Sequence, residues 1–324
     1  MRVLILGGAG FVGLNVAEAL ATNGHDAIVF DRRPPPDGFS AHTDAIIGDV
    51  TDLGALREAA HGVDAIVHGA AVTADAARDA DDPETILAVN MAAMAPVLRT
   101  AKEAGVGRTV VLSSAAAFGT ASFSRSPIRE DVMCDPVSLY SITKYASERV
   151  ARRLANLWQL DMRIARLSGV FGKWEHPTGA RDTLSPHHQV ARAFDRGEPA
   201  LFERPGFRDW TYAPDVGEAV SRLVAHAAPR YDLYHISAGR HWSALSWAEA
   251  LAAHTPGATV RLAQPGEAAT IDLYEPQDRA PMEVRRMLAD IGPATRSSPR
   301  CAAEFAHWWT AHGRPLAGAA EAAG

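Results

Sequence analysis

Residues 1–13 read MRVLILGGAGFVG, and this segment decides the fold. The apolar run at 3–6 predicts a buried strand, and three glycines follow it at a spacing of three residues, before a stretch of helical composition at 11–23. Glycines at these positions allow a tight turn, a close approach of the backbone to a pyrophosphate and close packing of helix on strand. Because the first N–H groups of the helix are free to bind phosphate, we predict a dinucleotide-phosphate site at Gly7, Gly10, Phe11, Val12 and Gly13.

Apolar runs and helical segments alternate throughout the first half of the chain. Short apolar runs predict strands at 3–6, 27–30, 45–47, 65–67, 109–112 and 162–165. The segments between them predict helices at 11–23, 53–60, 83–104 and 139–158. Continuous apolar strands joined by helices indicate a parallel sheet that is covered on both faces. Right-handed crossovers then make the α/β fold a Rossmann-type doubly wound parallel sheet.

After residue 167 the alternation becomes irregular, and Gly, Pro, His and Arg cluster at 169–188. A helix at 214–225 and a strand at 233–236 are expected to bring the chain back to the sheet, and two helices joined by a Pro/Ser loop are expected at 282–309. We therefore expect two unequal domains. They are a dinucleotide-binding domain at 1–167 plus about 210–237, and a smaller, mixed C-terminal substrate domain at 168–209 plus 238–324.

The composition excludes several classes of protein. The 324 residues include 32 Lys+Arg and 38 Asp+Glu, and a net charge of −6 argues against nucleic acid as the main partner. The two cysteines, Cys134 and Cys301, form neither a disulfide framework nor a cysteine-based zinc site, and no other metal motif is present. No apolar run reaches the roughly 18 residues that a membrane span requires. A cytoplasmic protein that does not contact a membrane is the expectation.

Two acidic residues follow predicted strands near the glycine turn. Asp31 lies 18 residues after Gly13, where a carboxylate accepts the ribose hydroxyls of adenosine and repels a 2′-phosphate, so NAD is favoured over NADP. The neighbouring Arg32 is the residue type that a 2′-phosphate would prefer. Asp49 is placed to meet the adenine edge, or to cap the helix that begins near Asp52.

Three further residues form a candidate catalytic group. Tyr140 and Lys144 are four residues apart in a helical stretch, so they share one face, and Ser114 ends a strand at the carboxyl edge of the sheet. The Lys144 ammonium stabilises a phenolate at Tyr140, which can take a hydroxyl proton as hydride leaves the same carbon. Tyr140 and Lys144 are also expected to contact the cofactor, with Lys144 holding the nicotinamide ribose, and Ser114 would orient the substrate oxygen.

Together these residues resemble the extended short-chain dehydrogenases/reductases, in the NAD-dependent epimerase/dehydratase family. The matching motifs are GGAGFVG at 7–13, Asp31, GDV at 48–50, HGAA at 68–71, Asn90, SSAAAFG at 113–119, YSITK at 140–144, RLSGVFG at 166–172 and RDWTYAPDV at 208–216. The resemblance implies that Asn90 braces the sheet near the active site and that Ser114, Tyr140 and Lys144 do the chemistry. It also implies a homodimer. The cofactor contacts expected from the motifs that follow the strands are Asp49, Val50, His68, Gly69, Ala70, Ala71 and Asn90.

Departures from the family pattern narrow the reaction. Sugar-nucleotide 4,6-dehydratases carry Asp-Glu after the catalytic hydroxyl residue, whereas Ala115 and Ala116 follow Ser114 here. Position 116 also lacks the Cys of the reductive epimerases that act on GDP-sugars. UDP-sugar epimerases usually carry Asn at the position of Gly169 and Tyr at that of Phe118. Both differences weaken the assignment of a UDP-sugar.

The candidate substrate contacts lie in two places. The segment 173–188 is the expected specificity region, in which Arg181, His187 and His188 are available to an anionic or polyhydroxylated substrate. Arg208 matches the arginine that contacts the diphosphate in the family, and its alternative role is an ion pair with Asp209 or Asp215. At the catalytic end the expected contacts are Ser114 and Ala115.

Three functions remain open at this point. The first is a nucleotide-sugar epimerase, in which hydride leaves a ring carbon and returns to the other face of the keto-sugar. The second is a net dehydrogenase of a free sugar, a sugar acid or another small hydroxy compound. The third is a non-catalytic NAD-binding sensor, which the intact Ser114, Tyr140 and Lys144 disfavour. In the first two the partner is a small molecule, a sugar or sugar derivative.

Overall fold

The computed structural model describes residues 1–39, 43–124, 126–275, 277–293 and 296–317. Within these ranges the strands are β1 (Arg2–Leu6), β2 (Asp26–Asp31), β3 (Thr43–Ile47), β4 (Ala65–His68), β5 (Arg108–Ser114), β6 (Met162–Leu167), β7 (Gly169–Phe171), β8 (Ala200–Phe202), β9 (Phe207–Arg208), β10 (Trp210–Tyr212), β11 (Leu233–Ile236), β12 (Trp242–Ser243) and β13 (Val260–Leu262). The helices are α1 (Phe11–Thr22), α2 (Leu53–Ala59), α3 (Ala76–Asp81), α4 (Pro83–Leu87), α5 (Met94–Glu103), α6 (Leu139–Trp158), α7 (Pro186–Asp195), α8 (Ala213–Ala225), α9 (Ala244–Ala252), α10 (Arg285–Asp290) and α11 (Ser298–Trp308).

The centre of the fold is a seven-stranded sheet in the order β3-β2-β1-β4-β5-β6-β11, and each pair is parallel. Alternate residues of β1 serve the two faces. Val3 and Ile5 pack in a buried cluster with α1 and α8, while Leu4 and Leu6 pack in another with α2 and α5. Both faces are therefore covered, and the predicted Rossmann-type doubly wound sheet is confirmed.

The predicted single helix at 83–104 is wrong. The chain forms α4, then a π-helical turn at Ala88–Ala92, then α5. The wide turn places Asn90 in the interior, where its Oδ1 accepts from the Val72 N–H at 2.7 Å and its Nδ2 donates to the Val72 carbonyl at 2.9 Å. The composition of residues 83–104 is helical throughout and does not reveal this turn. The turn is stabilised by the hydrogen bonds of Asn90 to Val72, which is distant in the chain.

The second region contains three short strand pairs, which are parallel for β7–β10 and β8–β13 and antiparallel for β9–β12. β11 returns to the main sheet beside β6, as predicted, and α8 is the helix expected before it. The two helices expected at 282–309 are α10 and α11. The domain boundaries stay a prediction, and residues 318–324 of the expected substrate domain lie outside the described residues. Across the described ranges, no helix combines the length and the apolar character that a bilayer span needs.

Candidate active site

The glycine turn between β1 and α1 is shaped for close approach. Gly7 has a φ of +78°, and its N–H donates to the Phe30 carbonyl at 2.9 Å, which ties the turn to β2. A Cβ at Gly7 would lie 2.6 Å from the Ala70 backbone, and one at Gly13 would lie 2.4 Å from the Gly7 carbonyl oxygen. Only glycine fits at these two positions, so the start of α1 remains open to a ligand.

The carboxylates after β2 and β3 both border the same cleft. Asp31 accepts from the Ala9 N–H at 3.2 Å, so it lies beside the glycine turn. Asp49 accepts from the N–H and hydroxyl of Thr51 at 2.9 and 2.7 Å. Burial by itself would raise the pKa of Asp49, but these two hydrogen bonds and the Arg32 charge together outweigh burial and lower it. The cap of α2 is Asp52, which accepts from the Gly54 N–H at 2.8 Å. The capping alternative for Asp49 is therefore wrong.

Two residues expected to contact the cofactor lie behind the cleft instead. His68 is buried in β4, where burial and the Lys144 ammonium lower its pKa to about 3. Asn90 is also buried, and besides Val72 its Nδ2 reaches the Thr143 hydroxyl at 3.2 Å. Neither side chain lines the cleft. The expectation of direct contact is corrected to a supporting position, while bracing by Asn90 agrees with its bonds.

Helix α6 carries the candidate acid–base pair. Lys144 Nζ lies 5.8 Å from the centre of the Tyr140 ring and donates to the Leu112 carbonyl of β5 at 3.1 Å. Ser138 caps the helix by accepting from the Ser141 N–H at 3.2 Å. Ser114, at the end of β5, accepts from the Ala116 N–H at 3.1 Å and lines the same cleft as Tyr140 and Lys144. The structure thus brings the three predicted catalytic residues to one site.

A buried ion pair beneath this group joins α6 to the sheet. Arg166 Nη2 and Glu148 Oε2 are 2.6 Å apart, and both side chains are almost completely buried. Ser113 donates to the same carboxylate at 2.6 Å, so Glu148 is bonded to both β5 and β6. Since Glu148 follows Lys144 by one helical turn, the pair holds the catalytic face of α6 against the carboxyl edge of the sheet.

The cleft has a volume of about 420 Å³ and runs from the glycine turn past Tyr140 to a second end beside β9 and β10. Most of the predicted contacts line it. They are Gly7, Gly10, Phe11, Val12, Gly13, Asp31, Arg32, Asp49, Val50, Gly69, Ala70, Ala71, Ser114, Tyr140, Lys144, Arg181 and Arg208. Ala115 does not line it and borders a small adjoining recess instead.

The second end of the cleft is cationic. Arg208 lies with its guanidinium 5.2 Å from the centre of the Trp210 ring, and no described carboxylate is within ion-pair distance of it. Burial and the nearby Arg279 lower the pKa of Arg208 to about 10. The proposed pairing with Asp209 or Asp215 is wrong, because Asp209 accepts from Ser237 and the Met282 N–H while Asp215 is bonded to Arg296.

Sequence reasoning missed Arg279, which lines the same end of the cleft and is paired with Glu275. It follows an irregular segment that carries no periodic pattern, so no sequence signal marked it.

The structure also explains the glycine at 169. A Cβ there would lie 2.8 Å from the Trp210 ring and 3.0 Å from Arg208 Nε. The Trp210 indole therefore occupies the space that a side chain at 169 would need.

His187 and His188 do not reach the cleft. Both are buried at the start of α7, where His187 stacks on Phe171 with ring centres 3.8 Å apart and His188 meets Trp309 edge-on at 5.2 Å. Burial lowers the pKa of His187 well below its usual value, and burial with nearby arginines lowers that of His188 to about 3. The expectation that a substrate contacts them is corrected: they are neutral members of an aromatic core.

The comparisons with known proteins agree with this site. The model of the NAD dependent epimerase/dehydratase family matches residues 3–237, and the chain belongs to this family. It is 25% identical to a UDP-glucose 4-epimerase of Mycolicibacterium smegmatis over 230 aligned residues. The alignment covers 68% of this chain and 72% of that protein. It is 31% identical over 255 residues to a 2′-dehydrokanamycin reductase of Streptomyces kanamyceticus, which covers 77% and 64% respectively.

Among solved structures, MoeE5 in complex with UDP-glucuronic acid and NAD superimposes with a TM-score of 0.76 at 26% identity, over 96% of this chain and 99% of that one. The protein is therefore an NAD-dependent enzyme of the extended short-chain dehydrogenase/reductase type. The described residues fit NAD, because the glycine cradle admits no Cβ and a carboxylate stands at the end of β2. Within the described ranges, no group of three His, Cys, Asp or Glu side chains is arranged to hold a metal ion.

The position of Asp31 predicts the cofactor preference. We expect Asp31→Ala to weaken NAD binding about tenfold and to narrow the preference for NAD over NADP, because the ribose acceptor and the repulsion of a 2′-phosphate are both lost. Titration of the purified protein with each cofactor measures this change. Asp37→Ala, a change of an exposed carboxylate in the following loop, is the matched control. An unaltered ratio of the two affinities in Asp31→Ala would show that Asp31 does not contact the ribose.

Proposed function

We propose that the protein is a nucleotide-sugar epimerase. NAD, when bound, supplies the hydride acceptor and donor. The glycine turn and the start of α1 would hold its pyrophosphate, Asp31 its adenosine ribose and Lys144 its nicotinamide ribose. Tyr140 takes the proton of the substrate hydroxyl and returns it after the keto-sugar has turned, while Ser114 donates to the substrate oxygen.

The observation that carries this proposal is that Arg208 has no ion-pair partner in the described part of the chain and lies in the same cleft as Ser114, Tyr140 and Lys144. Arg208 is half-buried in the wall of the cleft, and its guanidinium donors have no carboxylate partner among the described residues, so an anionic ligand group is the expected partner. Arg279, whose charge is balanced by Glu275, adds a second guanidinium group at this end. Two guanidinium groups match a diphosphate, which accepts paired N–H donors. A sugar bound by its diphosphate at this end would extend toward Tyr140.

A second candidate is a net NAD-dependent oxidoreductase of a free sugar, a sugar acid or a small hydroxy compound. Two observations favour it. The Trp210 ring fills the space beside Gly169, where UDP-sugar epimerases usually have Asn. A relative at 31% identity is a reductase by name. The residues for proton transfer are the same in both functions, so the distinction lies in whether the substrate carries a diphosphate and whether NADH leaves the protein.

One experiment separates the two candidates. The purified protein is denatured and assayed for retained NAD, and the native protein is then incubated with NAD and UDP-glucose, UDP-glucuronic acid, dTDP-glucose, free sugars or sugar acids. An epimerase interconverts a nucleotide sugar with no lasting absorbance at the NADH band. Stoichiometric growth of that band with a free sugar or sugar acid would reject the epimerase and favour the dehydrogenase. No turnover of any of these compounds would count against both.

We also propose a homodimer, in line with the family resemblance. Ile142 and Leu157 on α6 are 42% and 55% exposed, so this helix presents apolar side chains to solvent. Burying them in a partner helix would gain free energy from the hydrophobic effect. Light scattering after size exclusion tests the proposal, and a monomer of unchanged mass at high concentration would reject it.

A further inference from the structure

We propose that the loop from Glu175 to Ser185 is a clasp over the bound NAD and that Arg181 supplies a cation to the NAD pyrophosphate. The sequence led us to expect Arg181 at the substrate. The structure places it beside the first residue of α1. The inference rests on the NAD dependence of the family and not on the identity of the substrate.

The base of the clasp is closed by buried hydrogen bonds. Glu175 is almost completely buried and accepts from the Ser185 N–H at 2.7 Å and from the Ser185 hydroxyl at 2.6 Å. The preceding residue, Trp174, is buried in a left-handed conformation with a φ of +65°, and its indole donates to Glu18 at 2.9 Å. Both ends of the loop are therefore anchored, while the residues between them extend over the cleft.

The tip of the clasp is held by contacts near the surface. The Thr73 N–H donates to the Ala180 carbonyl at 2.7 Å, and the Asp182 N–H donates to the Thr73 carbonyl at 3.1 Å. Arg78 of α3 donates to the Gly179 carbonyl at 2.6 Å and to Asp182 at 3.2 Å. These contacts are less buried than those of Glu175 at the base, so we expect this side of the loop to release first.

Arg181 is held in position above the start of α1. Its guanidinium lies 5.3 Å from the centre of the Phe11 ring. Its Nε donates to the Thr183 carbonyl at 2.7 Å, and its Nη2 is 3.2 Å from Glu175. No described residue accepts from its Nη1, so one end of the guanidinium is left for a ligand in the cleft that Arg181 lines.

The start of α1 supplies the other half of the site. The Leu14 N–H donates to the Gly10 carbonyl at 3.0 Å, which is the first hydrogen bond of the helix. The N–H groups of the residues before Leu14 in α1 have no carbonyl acceptor within the helix, so they can bind a ligand. A phosphate bound there lies next to Phe11, and a guanidinium stacked on that ring adds charge-assisted hydrogen bonds from the opposite side. Arg181 thus couples closure of the clasp to retention of the cofactor.

The test measures cofactor binding directly. We expect Arg181→Gln to weaken the binding of NAD and of ADP-ribose about tenfold and to leave adenosine binding unchanged, because adenosine lacks the pyrophosphate. Arg181→Lys, which keeps the charge, should recover part of the affinity. The matched control is Arg57→Gln, which breaks an exposed ion pair with Glu103 far from the cleft and should leave all three affinities unchanged. Calorimetric titration of the NAD-depleted protein gives each affinity.

Other outcomes would overturn the proposal. Equal weakening of NAD, ADP-ribose and adenosine would assign Arg181 a purely structural role. If the affinity for NAD were unchanged and the KM for a nucleotide sugar were raised, Arg181 would be assigned to substrate binding and not to cofactor binding. If Arg181→Gln does not fold because Glu175 is left unpaired, the double variant Arg181→Gln/Glu175→Gln removes that charge and repeats the test. If no nucleotide sugar is turned over, the proposed epimerase activity is rejected. The role of Arg181 in binding NAD is judged separately, from the measured affinities.

Discussion

Replacement of Tyr140 by Phe is expected to lower turnover by about 10²- to 10⁴-fold, the contribution typical of one general acid–base group. The change removes only the hydroxyl group of Tyr140, and the ring remains beside Lys144 in the cleft. NAD binding should therefore stay within about twofold of the unmodified protein. The measurement is steady-state turnover of the substrate identified by the screen, together with a titration of NAD.

Tyr145→Phe is the matched control, since this phenol lies on the same helix but has no lysine four residues later. It should retain full turnover. Full activity of Tyr140→Phe would reject proton transfer by this residue. A loss of activity that is accompanied by an equal loss of NAD binding would instead assign Tyr140 to the cofactor site alone.

The second large effect is acid destabilisation by buried neutral histidines. Burial, together with nearby cations, lowers the pKa of His68, His188 and His235 to about 3, and burial lowers that of His187 well below its usual value. An unfolded histidine binds a proton below about pH 6.5. Unfolding therefore takes up protons in acid, and the free energy of unfolding is highest above that pH and falls as the pH is lowered.

Each of these histidines should lower the free energy of unfolding by about 1.4 kcal/mol between pH 7.5 and 5.5. Asp209 acts in the opposite direction. Burial raises the pKa of Asp209 to about 6, so its folded carboxyl takes up a proton as the pH falls and gains somewhat under 1 kcal/mol. From these five groups together we expect a net loss of about 5 kcal/mol, a large part of the usual stability of a folded chain. Urea unfolding at both pH values measures it.

His187→Phe tests the assignment to single residues. The replacement keeps an aromatic ring on Phe171, within a cluster that also contains Trp210 and Trp247, and removes one titrating group. The loss of stability between the two pH values should shrink by about 1.4 kcal/mol. His61→Gln, an exposed site, should leave the loss unchanged. An equal loss in His187→Phe and the unmodified protein would mean that His187 is already protonated when folded.

Local patterns in the sequence determined much of this protein. The run MRVLILGGAGFVG predicts strand, turn and helix because apolar periodicity and a glycine spacing are both properties of neighbouring residues. The parallel arrangement of the strands follows from their alternation with helices, and Ser114, Tyr140 and Lys144 meet because strand ends lie at one edge of a parallel sheet. These parts of the site needed no knowledge of loop structure.

The tertiary structure alone decided which polar residues face the cleft. His187 and Arg181 come from one irregular segment, yet His187 is buried on Phe171 whereas Arg181 lies over Phe11, 170 positions away in the chain. Likewise Arg208 has no ion-pair partner among the residues that the structure describes, because Asp209 and Asp215 are bonded to other groups. Such pairings depend on where non-periodic loops cross one another in space. Residue types at neighbouring positions do not encode those crossings, since each loop conformation is set by distant contacts.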